Sequence, residues 1–187
     1  VFIGMSYLQL SEKNVEDRAK VPVQAFLQDQ PLWPIDAEQY KEQLEFESLL
    51  DLLADTDSPA MCATDGRQPL THKDLMEFVS SFNLVQYGIS PDKRVGVALP
   101  NGAELAVCVL SVIAHCCCVP INNQNSGPEV TGELKQAGAS ALIVQAGQKN
   151  DHLLEAANTL GISVFLLTPH PEQCGRFELA VLPGTAA

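Results

Sequence analysis

Between Arg94 and Pro169 the sequence holds four short apolar runs, each the length of a β-strand, separated by three segments of helical periodicity. The runs open near Arg94, Cys116, Ser140 and Ile162, 22 to 24 residues apart. That spacing leaves room for one helix and two turns per repeat, as a crossover between parallel strands requires. In "SPDKRVGVALP", Val95, Val97 and Leu99 alternate with Gly96 and Ala98, so neither face of the strand core carries charge. A strand covered by helices on both sides has this pattern. The fold class implied is α/β, an open and mostly parallel sheet with helices on both faces.

Local signals mark the boundaries. Pro100 cannot donate to a ladder and ends the first run, Asn101 reads as an N-cap, and Glu104 complements the exposed amides of the helix that follows. That helix, "GAELAVCVLSVIAH", carries only Glu104, Ser111 and His115 as polar side chains and is expected to be deeply buried. Ser126 and Glu129 bracket Pro128 at the start of the next helix, which has Val130, Leu134 and Ala137 on one face and Gly138 at its end. "SALIVQ" follows as a strand, "NDHLLEAANTLG" as a helix and "ISVFLLTP" as a strand. Upstream, "PAMCATDGRQPLTHKDL" reads as a hairpin turning at Asp65-Gly66. Thr71 with Asp74 reads as a capping box, opening a helix with Leu75, Val79 and Phe82 on one face and Gly88 as its stop.

Charge divides the chain. The net charge is −12 over 187 residues; residues 1–58 carry twelve acids and four bases, and the remainder eleven acids and seven bases. Residues 1–45, with Pro22, Pro31 and Pro34, read as an acidic N-terminal extension or linker, and a helical segment with Leu44, Leu49, Leu52 and Leu53 leads into the main domain at 46–187. The acidity argues against a nucleic-acid partner or an anionic membrane surface, both of which need clustered Lys and Arg. No apolar run is long enough for a membrane span, and the first residues have neither a basic region nor a small-residue cleavage site, so the expected location is cytoplasmic. A chain that opens on Val and stops at "LPGTAA" reads as a fragment.

Reactive groups are few and scattered along the sequence. Cys62, Cys108, Cys116, Cys117, Cys118 and Cys174 contain no C-x-x-C pair, and consecutive residues of "HCCC" would point to opposite faces of a strand, so the cysteines read as free thiols with no metal site. His72, His152 and His170 have no nucleophile or carboxylate at motif spacing and read as surface or satisfied histidines. The turns "LPNGAE", "INNQNSGPE" and "VQAGQKND" lack the dinucleotide fingerprint G-x-G-x-x-G, and no G-x-x-x-x-G-K-[ST] loop or G-x-S-x-G elbow occurs. No catalytic, cofactor-binding or metal-ligating residue is assigned.

Taken in order, "LTHKDL", "GISPDKRVGVALPNGAELAV" and "VPIN" resemble the N-terminal part of the adenylate-forming acyl-CoA synthetases, whose corresponding stretches run L-T-Y-x-E-L, G-(V/I)-x-x-G-D-x-V-A-(I/V)-x-L-P-N and P-L-N-P. Within that superfamily, "SVIAHCCCVPINN" and "EVTGELKQAGASALIV" are most similar to oxalate–CoA ligase-like enzymes. The resemblance covers about Phe46 to Phe177. His72 stands where the family usually has Tyr, Cys116 replaces Gly, Asn123 replaces Pro, and Lys93 replaces an acid. The resemblance implies the N-terminal subdomain of the adenylate-forming fold, cut before the phosphate loop. For the full-length protein it implies an ATP- and Mg²⁺-dependent activation of a small carboxylic acid, oxalate among the candidates, followed by transfer to CoA, in a cytoplasmic or peroxisomal setting. This chain alone is then expected to bind none of ATP, Mg²⁺ or CoA, to lack activity and, with part of its sheet uncovered, to self-associate. The alternatives are a non-catalytic interaction module derived from the fold and an adenylation domain of a multimodular synthetase.

Overall fold

The computed structural model describes residues 48–184; the extension expected over 1–45 lies outside them. Of the expected leucine-bearing helix, Leu49–Leu52 form a single 3-10 turn, opened by Ser48, whose N–H and hydroxyl both donate to the Asp51 carboxylate at 2.8 and 3.1 Å.

Two sheets occupy the described residues. β1 (Pro59–Met61) and β2 (Leu70–Thr71) pair antiparallel, as the hairpin signal implied, with an irregularity in register between Pro59 and Met61. The second sheet contains β3 (Arg94–Ala98), β4 (Cys117–Pro120), β5 (Ala141–Gln145), β6 (Ser163–Pro169) and β7 (Phe177–Val181), in the spatial order β4-β3-β5-β6-β7. The first four run parallel, in agreement with the spacing of the apolar runs. β7, which the sequence reading did not anticipate, returns antiparallel along β6 from Pro169↔Phe177 to Phe165↔Val181.

Helices cover both faces. α1 (His72–Ser81) and α2 (Ala103–His115) pack together, as do α3 (Gly127–Ala137) and α4 (Asp151–Leu160). The period of two in the strands sorts the core accordingly. Val95, Val97, Ile143, Phe165 and Leu167 belong to the cluster that holds Leu75 and Val79 of α1 and Val107, Cys108 and Val112 of α2. Ala98, Leu142, Val144 and Val164 join Val130 and Leu134 of α3 with Leu153, Ala156 and Ala157 of α4. Gly96 faces this second layer, where a Cβ would stand 2.7 Å from Leu134 Cδ2 and 3.0 Å from Leu142 Cδ1, so the close seating of α3 on β3 depends on the absent side chain.

Four boundary expectations need correction. Asn101 does not cap α2: Gly102 is the N-cap, in extended conformation, and no side chain bonds the first turn. Glu104 does lie in the first turn as expected, and its carboxylate also accepts from Arg67 and the Gly175 N–H. Thr71 accepts the Asp74 N–H at 3.0 Å, but the return half of the expected box is replaced by a bond from Gln173 Nε2 to Asp74 Oδ2 at 3.1 Å. α1 stops at Ser81 rather than Gly88, because Phe82 is extended and Asn83 Oδ1 accepts the Val85 N–H at 2.8 Å, opening a separate 3-10 turn, Val85–Tyr87, that Gly88 ends in the left-handed region. Finally, α2 is buried along one face only, through Val107, Cys108, Ser111 and Val112, while Ile113 is half exposed. At α3 the signals and the structure agree: the Ser126 N–H and hydroxyl donate to Glu129 at 2.8 and 2.7 Å, and Gly138 closes the helix with positive φ.

Candidate functional site

In a parallel sheet every helix begins near the carboxyl end of the strand before it, so connecting loops and unpaired amides gather along one edge. Here β4 lies on one side of β3 and β5 on the other, so the chain reverses its direction of travel across the sheet beside β3. Ligands of open α/β sheets bind outside the strand ends at such a reversal. The loops after β4 and β5 line a cleft of about 470 Å³ formed by Asn123, Gln124, Asn125, Gln148, Lys149, Asn150 and His152.

Side chains from both loops fix its walls. Asn122 Oδ1 accepts the Gln124 N–H at 3.0 Å, and Asn125 Nδ2 donates to Glu133 of α3 at 2.9 Å. Across the cleft, Asn150 Nδ2 donates to the Gln145 carbonyl at 2.6 Å, while Gly147, at φ +73°, lets the chain turn after β5. His152 Nε2 lies 3.0 Å from the Asn123 carbonyl and therefore donates, tying the two loops together. The carboxamides of Asn123, Gln124 and Gln148 and the Lys149 ammonium have no protein partner among the described residues. The cleft thus offers neutral donors and acceptors and one cation. It contains no nucleophile activated by a base and no lining carboxylate. This set suits recognition of a polar group on a ligand, but it does not fit a nucleoside triphosphate with its metal, which needs several donors on the phosphates and an acid for the cation.

The sequence reading assigned no site residue, and two of the turns inspected for a dinucleotide fingerprint, those after β4 and β5, are the cleft walls. The usable signal lay in strand order rather than in a motif. The third turn, Pro100–Glu104, serves another arrangement. Glu104 accepts Arg67 Nη1 at 2.6 Å and the Gly175 N–H at 2.9 Å, while Arg67 also pairs with Asp65 at 2.7 Å and donates to the His170 carbonyl at 3.3 Å. Burial pushes the Glu104 carboxyl up, yet the bonds from Arg67 and Gly175 outweigh it and hold its pKa below the ordinary value. The bond from Arg67 likewise lowers Asp65. This cluster fastens the β1–β2 connection and the β6–β7 turn to the start of α2.

The remaining candidate groups are dispersed. His170 Nδ1 accepts the N–H groups of Glu172 and Gln173 at 3.2 and 3.1 Å, and His115 Nε2 donates to the Val79 carbonyl at 2.8 Å. All six cysteines are free thiols. Cys116 and Cys118 pack against the same cluster as Cys108, and burial pushes Cys118 up to about 11 and Cys108 higher still. Such thiols are poor nucleophiles. Among the described residues no group of three His, Cys, Asp or Glu side chains is placed to hold a metal ion, and no helix is long and apolar enough to cross a membrane.

Comparison with known proteins places this geometry. The family model for AMP-binding enzymes matches residues 53–174, which include both walls of the cleft. FR901469 synthetase from Dothideomycetidae sp. (strain 11243) is 28% identical over 149 residues, a match covering 73% of this chain and 1% of the synthetase. Among solved structures, apo MatB from Rhodopseudomonas palustris aligns with a TM-score of 0.55 at 22% identity, covering 69% of this chain and 25% of MatB. An acyl-CoA synthetase from Brucella canis aligns with a TM-score of 0.59 at 17% identity, covering 82% of this chain and 29% of that enzyme. The chain therefore spans a small part of the synthetase and less than a third of either of these structures.

Proposed function

Because the chain belongs to the AMP-binding enzyme family, we propose that it supplies the amino-terminal sheet of an adenylate-forming acid–thiol ligase. In that reaction a carboxylate oxygen attacks the α-phosphorus of ATP, pyrophosphate leaves, and a thiol then displaces AMP from the acyl-adenylate to give a thioester. The observation that carries the reading is the family match across more than half of the chain, supported by a fold that aligns with those of MatB and the Brucella canis enzyme. Residues 46–187 are the proposed contribution to the AMP-binding domain, with 1–45 an acidic extension. The described residues supply no group for the chemical step; their part is to form the sheet and to present a polar recognition surface at its carboxyl edge. The likeness of "SVIAHCCCVPINN" to oxalate–CoA ligase-like enzymes makes oxalate the first acid to test, with CoA as the thiol.

A second reading has its own support. The similarity to FR901469 synthetase favours an adenylation domain that loads a carrier-bound thiol. Both share the first half-reaction, so the test has two stages. The natural full-length protein is assayed for acid-dependent ATP–pyrophosphate exchange with oxalate and a panel of other carboxylic and amino acids, and the active acid is then offered CoA or a phosphopantetheinylated carrier domain. Exchange with one acid and thioester formation on CoA is the expected result. Thioester formation on the carrier alone selects the second reading, and a folded protein without exchange on any acid overturns both.

A further inference from the structure

We draw no further inference here: the strongest candidate, the apolar stripe on α2 made of the half-exposed Ile113 and the partly buried Ala106, Val109 and Leu110, carries nothing because nothing in the structure shows what covers it.

Discussion

Glu104 and Arg67 lie 37 positions apart in the chain and 2.6 Å apart in the fold, with side chains only 13% and 17% exposed. Removing the carboxylate charge leaves Asp65 as the one carboxylate paired with Arg67 and weakens the bond from Gly175. Glu104→Gln is therefore expected to lower stability by about 1–2 kcal/mol at neutral pH, the range for a hydrogen bond to a charged group that keeps some solvent contact. The sign with pH follows from the lowered pKa: the contribution is complete above the ordinary carboxyl value of 4.5 and disappears as pH falls through the folded value. Urea titrations of both proteins should show a gap that narrows in acid, and a gap independent of pH would refute the charge-based account. Gly96 gives a second expectation at this scale. A methyl group there meets Leu134 at 2.7 Å, so Gly96→Ala should cost about 1–3 kcal/mol by overpacking, and the same substitution should cost less in a Leu134→Ala background, where that contact is gone. Additive losses in thermal melts would contradict this contact. Neither role was legible locally. Pro100, Asn101 and Glu104 carry a cap signature, but Arg67 and Gly175 compete for the carboxylate from distant parts of the chain, and pattern within a few residues contains no trace of them.

Elements were read most reliably where their stop and start signals satisfy one another. Ser126, Pro128, Glu129 and Gly138 specify both ends of α3, and every bond they imply forms within four residues. Ser126→Ala removes the hydroxyl that Glu129 accepts and should cost about 1 kcal/mol, the usual worth of an N-cap, while leaving the far-ultraviolet circular dichroism unchanged. A stability change near zero would mean that the cap contributes nothing against solvent. By contrast, β7 has no such internal signature. Its five residues become a strand by pairing with β6 beyond a turn that is itself held by Gln68, whose N–H donates to Glu172 and whose carbonyl accepts from Cys174. The helix α2 is less deeply buried than its composition implies for a related reason. Apolar composition all round a helix establishes that some face meets a core, but how much of the rest is covered depends on neighbours. β4 shows how the same chain limits an open edge: it is four residues long, and Pro120 has no N–H to offer an incoming strand.

For the molecule as a whole, strand spacing carried most of the architecture. Starts at Arg94, Cys117, Ala141 and Ser163 reproduce the interval expected for successive crossovers, and the alternation in β3 announced its two covered faces. The order across the sheet was not contained in that interval, because β5 could have added beside β4 rather than on the far side of β3. Yet this order makes the cleft: with β3 between them, the loops after β4 and β5 stand as opposite walls, and His152 bridges them through the Asn123 carbonyl. Three carboxamides and Lys149 are then left with their hydrogen-bonding capacity unspent. If the cleft recognises part of a substrate, truncating Lys149 should act on binding and spare folding, since its ammonium touches no other described group. If the full-length protein is the proposed ligase, Lys149→Ala is expected to raise KM for one of its proposed substrates (nucleotide, acid or thiol) roughly fivefold, the equivalent of about 1 kcal/mol, with the melting temperature unchanged. The effect should shrink as salt is added if the group recognised is anionic, because an exposed ammonium is screened within about 10 Å at 0.1 M. Unaltered KM values for all three substrates would remove the cleft from the functional surface and leave this sheet as scaffold alone.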